Sequence, residues 1–248
     1  MKPTRTLYSP ETGTEYAIYV SAPDAALAPG PWPAVLFMDG DDQFSEAVAA
    51  YRGLYKVGGV RPLLLAGVGY GSSYTHPGNR RGRDYTPTAH GHEPASGGSE
   101  RFLRFLQHTL WPELERRYPI HGDLRGIAGH SLGSLLVLHA LFRESRFFTH
   151  FLASAPSIWW DERRILRLAH ERRERNATLP AQLFLGVGED DTSSMTGDLE
   201  LLERQLVADS FQGLRVVSQR FPDRDHYNVL RDAFRSGLAA LFGPDACA

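Results

Sequence analysis

Gly129-His130-Ser131-Leu132-Gly133 follows the apolar run Leu124 to Ala128 and opens a helical run, Ser134 to Phe142. A serine between a short apolar strand and a helix must sit on a tight turn. Small residues two positions to either side let the backbone fold that closely, and the turn pushes the hydroxyl clear of the sheet edge. The helix that begins there aims its first N–H groups and its positive dipole end at the space beside the hydroxyl, where an oxyanion would develop. This context makes Ser131 a candidate nucleophile. The plainer alternative is a glycine-rich strand-to-helix turn that happens to carry a serine.

Partners for such a serine fall further along the chain at strand ends. The run Ala181 to Val187 reads as a short strand and ends in Gly188-Glu189-Asp190-Asp191, a glycine turn with three carboxylates. Leu214 to Phe221 reads as another strand, broken by Pro222-Asp223-Arg224-Asp225-His226, after which Tyr227 to Phe242 reads as a closing helix. Reacting groups collect beyond the carboxyl ends of strands in an α/β sheet, so His226 is placed to serve as the general base. A histidine capping the last helix would look the same in the sequence. One of Glu189, Asp190 and Asp191 should orient the imidazole. Asp191, three residues beyond the glycine, is favoured by the usual spacing in this kind of site.

Outward from these pieces, apolar runs alternate with helical ones. Ala34 to Met38 precedes a helix from Phe44 to Tyr55; Leu63 to Val68 follows, then a helix from Glu100 to Tyr118. Phe148 to Ala153 precedes a helix from Asp161 to about Arg175, and another helix runs from Gly197 to Phe211. This alternation implies an α/β fold, a mostly parallel sheet with helices on both faces. The opening segment to Pro23 reads as a hairpin around Glu11-Thr12-Gly13, with Tyr16 to Val20 as its better strand. The stretch 69–98 has no strong period and is rich in Gly, Ser, Thr, Pro, His and Arg. Loops of that length tend to be functional, and it is expected to cover the site.

The 248 residues fit one domain, 1–248, with a full-sized core. A net charge of −2 with both signs mixed along the chain argues against a nucleic-acid partner or an anionic membrane surface. No apolar leader core and no spanning stretch is visible, and the single cysteine, Cys247, can form no internal disulfide. The expected location is the cytoplasm. His90-Gly91-His92-Glu93 has the residue types of a metal site but no third placed ligand. The chemistry at Ser131 calls for no metal and no cofactor.

Taken together, the segments resemble the esterase D-like group of α/β-hydrolases, and within it the siderophore-trilactone esterases of the IroE type. The matching pieces are Met38-Asp39-Gly40, Arg81-Gly82-Arg83-Asp84-Tyr85-Thr86-Pro87, Gly97-Gly98 with Phe102-Leu103 and Pro112, the Ser131 pentapeptide, Ala155-Pro156-Ser157-Ile158-Trp159-Trp160, and Asp225-His226. The chain departs from the group at Ser134, where a second glycine is usual. The resemblance implies an α/β-hydrolase fold and hydrolysis of carboxylic esters through an acyl-enzyme, plausible substrates being trilactone or catecholate siderophore esters. It also implies that Ser131 and His226 can act as a dyad, because the acid varies in IroE-like enzymes. A general short-chain acyl or aryl esterase would use the same machinery, and a binding protein could keep the fold without turnover.

Within that frame the backbone N–H groups of Leu132 and Asp41 are the candidate oxyanion donors. Arg81 could grip a substrate oxygen or brace its loop through Asp84. Trp159 and Trp160 follow a strand end and offer flat surface for an aromatic group, or pack under the next helix. The expected partner is a small-molecule ester.

Overall fold

The computed structural model describes residues 1–91, 93 and 95–244, so His92 and Cys247 lie outside the described residues. Eight strands form one sheet: β1 Arg5–Ser9, β2 Thr14–Ser21, β3 Trp32–Phe37, β4 Leu64–Gly69, β5 Ile120–His130, β6 His150–Ser154, β7 Thr178–Gly188 and β8 Gln212–Phe221. Their spatial order is β1-β2-β4-β3-β5-β6-β7-β8. β2 runs antiparallel to both its neighbours, β1 and β4, and all pairings from β4 across to β8 are parallel. Every residue of β3, β4 and β6 is buried, as expected of parallel strands covered on both faces.

Helices α1 Phe44–Lys56, α2 Arg81–Asp84, α3 Ser99–Phe105, α4 Trp111–Glu115, α5 Leu132–Phe142, α6 Trp160–Arg175, α7 Ser193–Ala208 and α8 Leu230–Phe242 complete the fold. The two faces have separate cores. Phe44 of α1 and Phe234, Leu238 and Phe242 of α8 cover one face, while α3, α5, α6 and α7 cover the other through residues such as Phe102, Leu136, Ile165 and Leu199. Helix α5 reads as apolar all round because it is packed on every side; only Leu132 is not fully buried.

The chain leaves β3 toward one face and β5 toward the other. Adjacent strands whose following helices diverge open a crevice at their carboxyl ends, and the site lies there.

Several boundaries differ from the sequence reading for identifiable reasons. The long helix after the loop passes through a π-helical turn, Leu106–Leu110, just before Pro112. Proline has no N–H to donate and its ring crowds the carbonyl four residues back, which favours such a widening. Helix α7 starts earlier than Gly197 because Thr192 caps it, its side chain accepting from the Met195 N–H. The closing helix starts at Leu230 and not at Tyr227, because the Asp225 carboxylate holds the N–H groups of Tyr227 and Asn228 in a turn. The stretch 69–98 contains the single turn α2 and an isolated bridge between His90 and Glu93.

Candidate active site

Backbone strain gathers along the carboxyl edge of the sheet. Asp39 after β3, Ser131 after β5, Ala155 after β6 and Asp223 after β8 all have positive φ (53°, 58°, 43° and 56°) although none is glycine. Conformations of this kind persist only where surrounding contacts over-determine them, and they concentrate at functional sites.

The pentapeptide shows why its glycines are needed. A Cβ on Gly129 would lie 2.4 Å from the carbonyl carbon of Gly133, so the two limbs of the elbow meet backbone to backbone. Ser134 adds a clamp that a glycine would lack: its hydroxyl lies 2.7 Å from both the Gly129 and the Ser154 carbonyl oxygens. Ser131 itself is tied down by its N–H to the Ser154 carbonyl, 3.0 Å. The strain therefore belongs to the main chain and leaves the hydroxyl exposed to the cavity.

That hydroxyl lies 3.2 Å from His226 Nε2, and His226 Nδ1 lies 2.9 Å from Asp191 Oδ2. The Asp191 side chain is 1% exposed, whereas Glu189 and Asp190 are exposed. A carboxylate can only accept, so Nδ1 carries the proton and Nε2 presents its lone pair to the serine. Such a chain lets the imidazole take the serine proton while the buried carboxylate steadies the resulting charge. Its parts come from three loops, after β5, β7 and β8. Behind His226 lies His130, with ring centroids 4.7 Å apart; its Nδ1 is 3.0 Å from Ser154 Oγ. Burial, with the positive charge that His226 and Arg81 can present, holds His130 down to about 3, so a neutral ring backs His226.

On the other wall, Arg81 forms a two-pronged pair with Asp39: Nε to Oδ1 at 2.8 Å and Nη2 to Oδ2 at 2.9 Å. Asp39 is fully buried, and burial pushes its carboxyl up against the opposing pull of Arg81. The guanidinium stacks between the rings of Tyr74 and Tyr85, 5.4 and 5.6 Å from their centroids. Arg81 also helps to line the cavity at Ser131. Bracing through Asp84 does not occur. Asp84 is instead the hub of a separate buried knot, accepting from Tyr16, Tyr70 and Arg83.

Asp41 uses its carboxylate to accept from the Tyr19 hydroxyl and from the N–H groups of Tyr70 and Gly71. The cavity wall here is made by Asp42 and Gln43, one and two residues further on. Their N–H groups are committed to the Asp39 carbonyl; among the described residues no backbone carbonyl accepts from the N–H of Asp41 or Leu132. Both therefore keep a free N–H of the kind an oxyanion requires.

The tryptophans are placed differently from each other. Trp160 is buried, packs against the His90 ring and donates its indole N–H to the Thr88 carbonyl, so it anchors the long loop. Trp159 is 45% exposed, and neither ring lines the Ser131 cavity. That cavity, about 290 Å³, is walled instead by Tyr74, Arg81, Tyr227 and Leu230 around Ser131 and His226. Tyr74 and Tyr227 escaped the sequence reading because exposed tyrosines in loops carry no periodic signal. Ser157, whose hydroxyl lies 3.4 Å from that of Ser131, was within reach of it as part of the Pro156-Ser157-Ile158 segment.

No helix among the described residues is long and apolar enough to cross a membrane, and they contain no cluster of three or more potential metal ligands.

Comparison with known proteins agrees with this geometry. The family model described as "Putative esterase" matches residues 9–225. The ferri-bacillibactin esterase BesA of Bacillus subtilis is 30% identical over 97% of this chain and 89% of its own length. Among solved structures, the BES protein from Bacillus cereus superposes with a TM-score of 0.81 at 28% identity, covering 95% of this chain and 92% of the other. An IroE-like serine hydrolase from Shewanella oneidensis shares the fold with a TM-score of 0.85 at 23% identity, covering 96% and 79%. The model match along most of the chain, and a relative of this identity over nearly all of it, show that the chain belongs to the esterase family and has the α/β-hydrolase fold.

Proposed function

We propose that this protein hydrolyses carboxylic esters through an acyl-enzyme, with Ser131 as nucleophile, His226 as general base and Asp191 as the acid that orients it. The observation that carries the reading is the hydrogen-bond chain from Ser131 Oγ through the His226 ring to the buried Asp191. His226 takes the serine proton as Oγ attacks the ester carbonyl. The N–H groups of Leu132 and Asp41 stabilise the tetrahedral oxyanion, assisted by the first turn of α5. The imidazolium returns the proton to the leaving alcohol, and a water activated by the same imidazole releases the acid.

Siderophore esters are the substrate class we favour, because the relative matched along almost the whole chain is a ferri-bacillibactin esterase. A guanidinium held by Asp39 at the wall of the cavity suits an oxygen-rich substrate. A cytoplasmic location accords with this reading and is tested by fractionation.

The test is a hydrolysis screen that sets p-nitrophenyl esters beside iron-loaded and iron-free trilactone siderophores, with labelling by a fluorophosphonate probe. Labelling that vanishes in Ser131→Ala, with trilactone opening by the wild type, is the expected result. Turnover of small esters alone would favour a general short-chain esterase, a reading that the modest 290 Å³ cavity keeps open. Absence of labelling would point to a binding protein on the same fold.

A further inference from the structure

Tyr227 is the most exposed large hydrophobic residue among the described residues, 83% accessible. A ring left in water at that level adds little to the core, yet its main chain is held rigidly. Its N–H and that of Asn228 both donate to Asp225 Oδ1 at 2.8 Å, and Asn228 Oδ1 accepts in turn from the Asp225 N–H. The ring stands edge-on to His226, centroids 5.6 Å apart at 88°. It is thus an aromatic post beside the base, anchored through its main chain.

Two depressions meet at this post. One is the Ser131 cavity; the other, about 500 Å³, runs along the start of α8 past Asn228, Arg231 and Glu46. Tyr227 and Leu230 line both. The polar rim of the second depression is adaptable, since the Arg231–Glu46 pair is a surface contact of a 60% exposed arginine side chain and such pairs contribute little.

We propose that Tyr227 is a specificity-determining residue: a planar arm of the ester, remote from the scissile carbonyl, stacks on its ring and continues into the second depression. This rests on the reading of Ser131 as an ester-cleaving nucleophile, and adds that the preferred substrate spans both depressions. Aromatic faces give such an arm a low-entropy platform. Contacts of this kind raise catalytic efficiency where they tighten as the reacting carbonyl settles against Ser131.

The test uses three esters with acid release followed in a pH-stat: ethyl acetate as the small reference, ethyl 4-phenylbutanoate with the ring on the acyl side, and 4-phenylbutyl acetate with it on the alcohol side. In the wild type one of the aryl esters should exceed ethyl acetate in kcat/KM by about tenfold. Tyr227→Ala, and Arg231→Trp, which plugs the second depression, should each erase most of that advantage; Tyr227→Phe, which keeps the ring, should retain it. No aryl advantage in the wild type, or an advantage that survives either Tyr227→Ala or Arg231→Trp, overturns the inference while leaving ester hydrolysis standing. Failure to cleave any ester, with no difference between wild type and Ser131→Ala, removes the underlying reading and this inference with it.

Discussion

Gly188 and Arg224 approach so closely that a Cβ on Gly188 would lie 2.0 Å from the Arg224 carbonyl oxygen. The same two loops are stitched by the Glu189 N–H to the Phe221 carbonyl and the Asp190 N–H to the Arg224 carbonyl, each 2.9 Å. The acid loop after β7 and the histidine loop after β8 are therefore one backbone unit, and this unit brings Asp191 to His226. Gly188→Ala must push the loops apart. Because a displacement of about 1 Å can cost about a hundredfold in rate, we expect turnover to fall by at least that factor with the sheet intact. Steady-state rates beside a far-UV spectrum check it, and wild-type turnover would contradict the stitching argument.

Asp191→Asn should lower turnover by about 10³–10⁴, since an amide in place of the carboxylate favours the wrong imidazole tautomer. Asp190→Asn and Glu189→Gln should stay near wild type, because both side chains are exposed. All three variants are to be measured side by side. If Asp191→Asn also retains most of its activity, the site runs as a Ser131–His226 dyad.

Arg81→Ala is expected to affect stability as well as catalysis. It strands the Asp39 carboxylate, which is completely buried, and breaking a buried pair on one side typically costs about 3–5 kcal/mol. The double variant Arg81→Met, Asp39→Asn should recover most of that stability without recovering catalytic efficiency on oxygen-rich esters. Denaturant unfolding together with kcat/KM separates the two effects; a stable Arg81→Ala protein would show that the pair is not needed by the fold.

Acid should destabilise the protein from about pH 6.5 downward. Burial holds His130 at about 3 and His139 and His150 at about 4, against 6.5 in the unfolded chain. For His139, burial and Arg143 outweigh Glu100, 3.3 Å from its Nε2, whose charge would favour the protonated ring. Between those values the unfolded state binds more protons, so stability is full above pH 6.5 and is lost as the pH falls toward 4. Each histidine contributes a slope of about 1.4 kcal/mol per pH unit in that window. His150 stacks on Phe242 and its Nε2 has no hydrogen-bond partner, so His150→Phe should reduce the slope by one proton. Denaturant unfolding at pH 7, 6 and 5 measures it, and an unchanged slope would refute the assignment.

The elements and the strained elbow at Ser131 were legible in the sequence because their causes are local. An apolar strand, two small residues and an apolar helix within twenty positions are enough to specify an elbow, and the structure has it at Ser131. The order serine, acid, histidine follows from strand ends, which periodicity also marks. Choosing among Glu189, Asp190 and Asp191 was not a local matter. Their spacing is nearly equivalent, and the choice is made where Gly188 passes under Arg224, a contact that exists only once β7 and β8 pair. Arg81 likewise finds Asp39 across a gap that only the closure of the long loop removes, which no spacing along the chain encodes. The aromatic walls were read at Trp159 and Trp160 because a strand end precedes them; the fold turns Trp160 inward to hold the loop and sets Tyr74 and Tyr227 around the cavity. Sequence determined which segments become strands and helices and where a strained turn must form, since those depend on neighbours within a few residues. Tertiary structure alone decided which side chains from distant loops meet, because that depends on the order in which strands lie side by side and on how closely two backbones can approach.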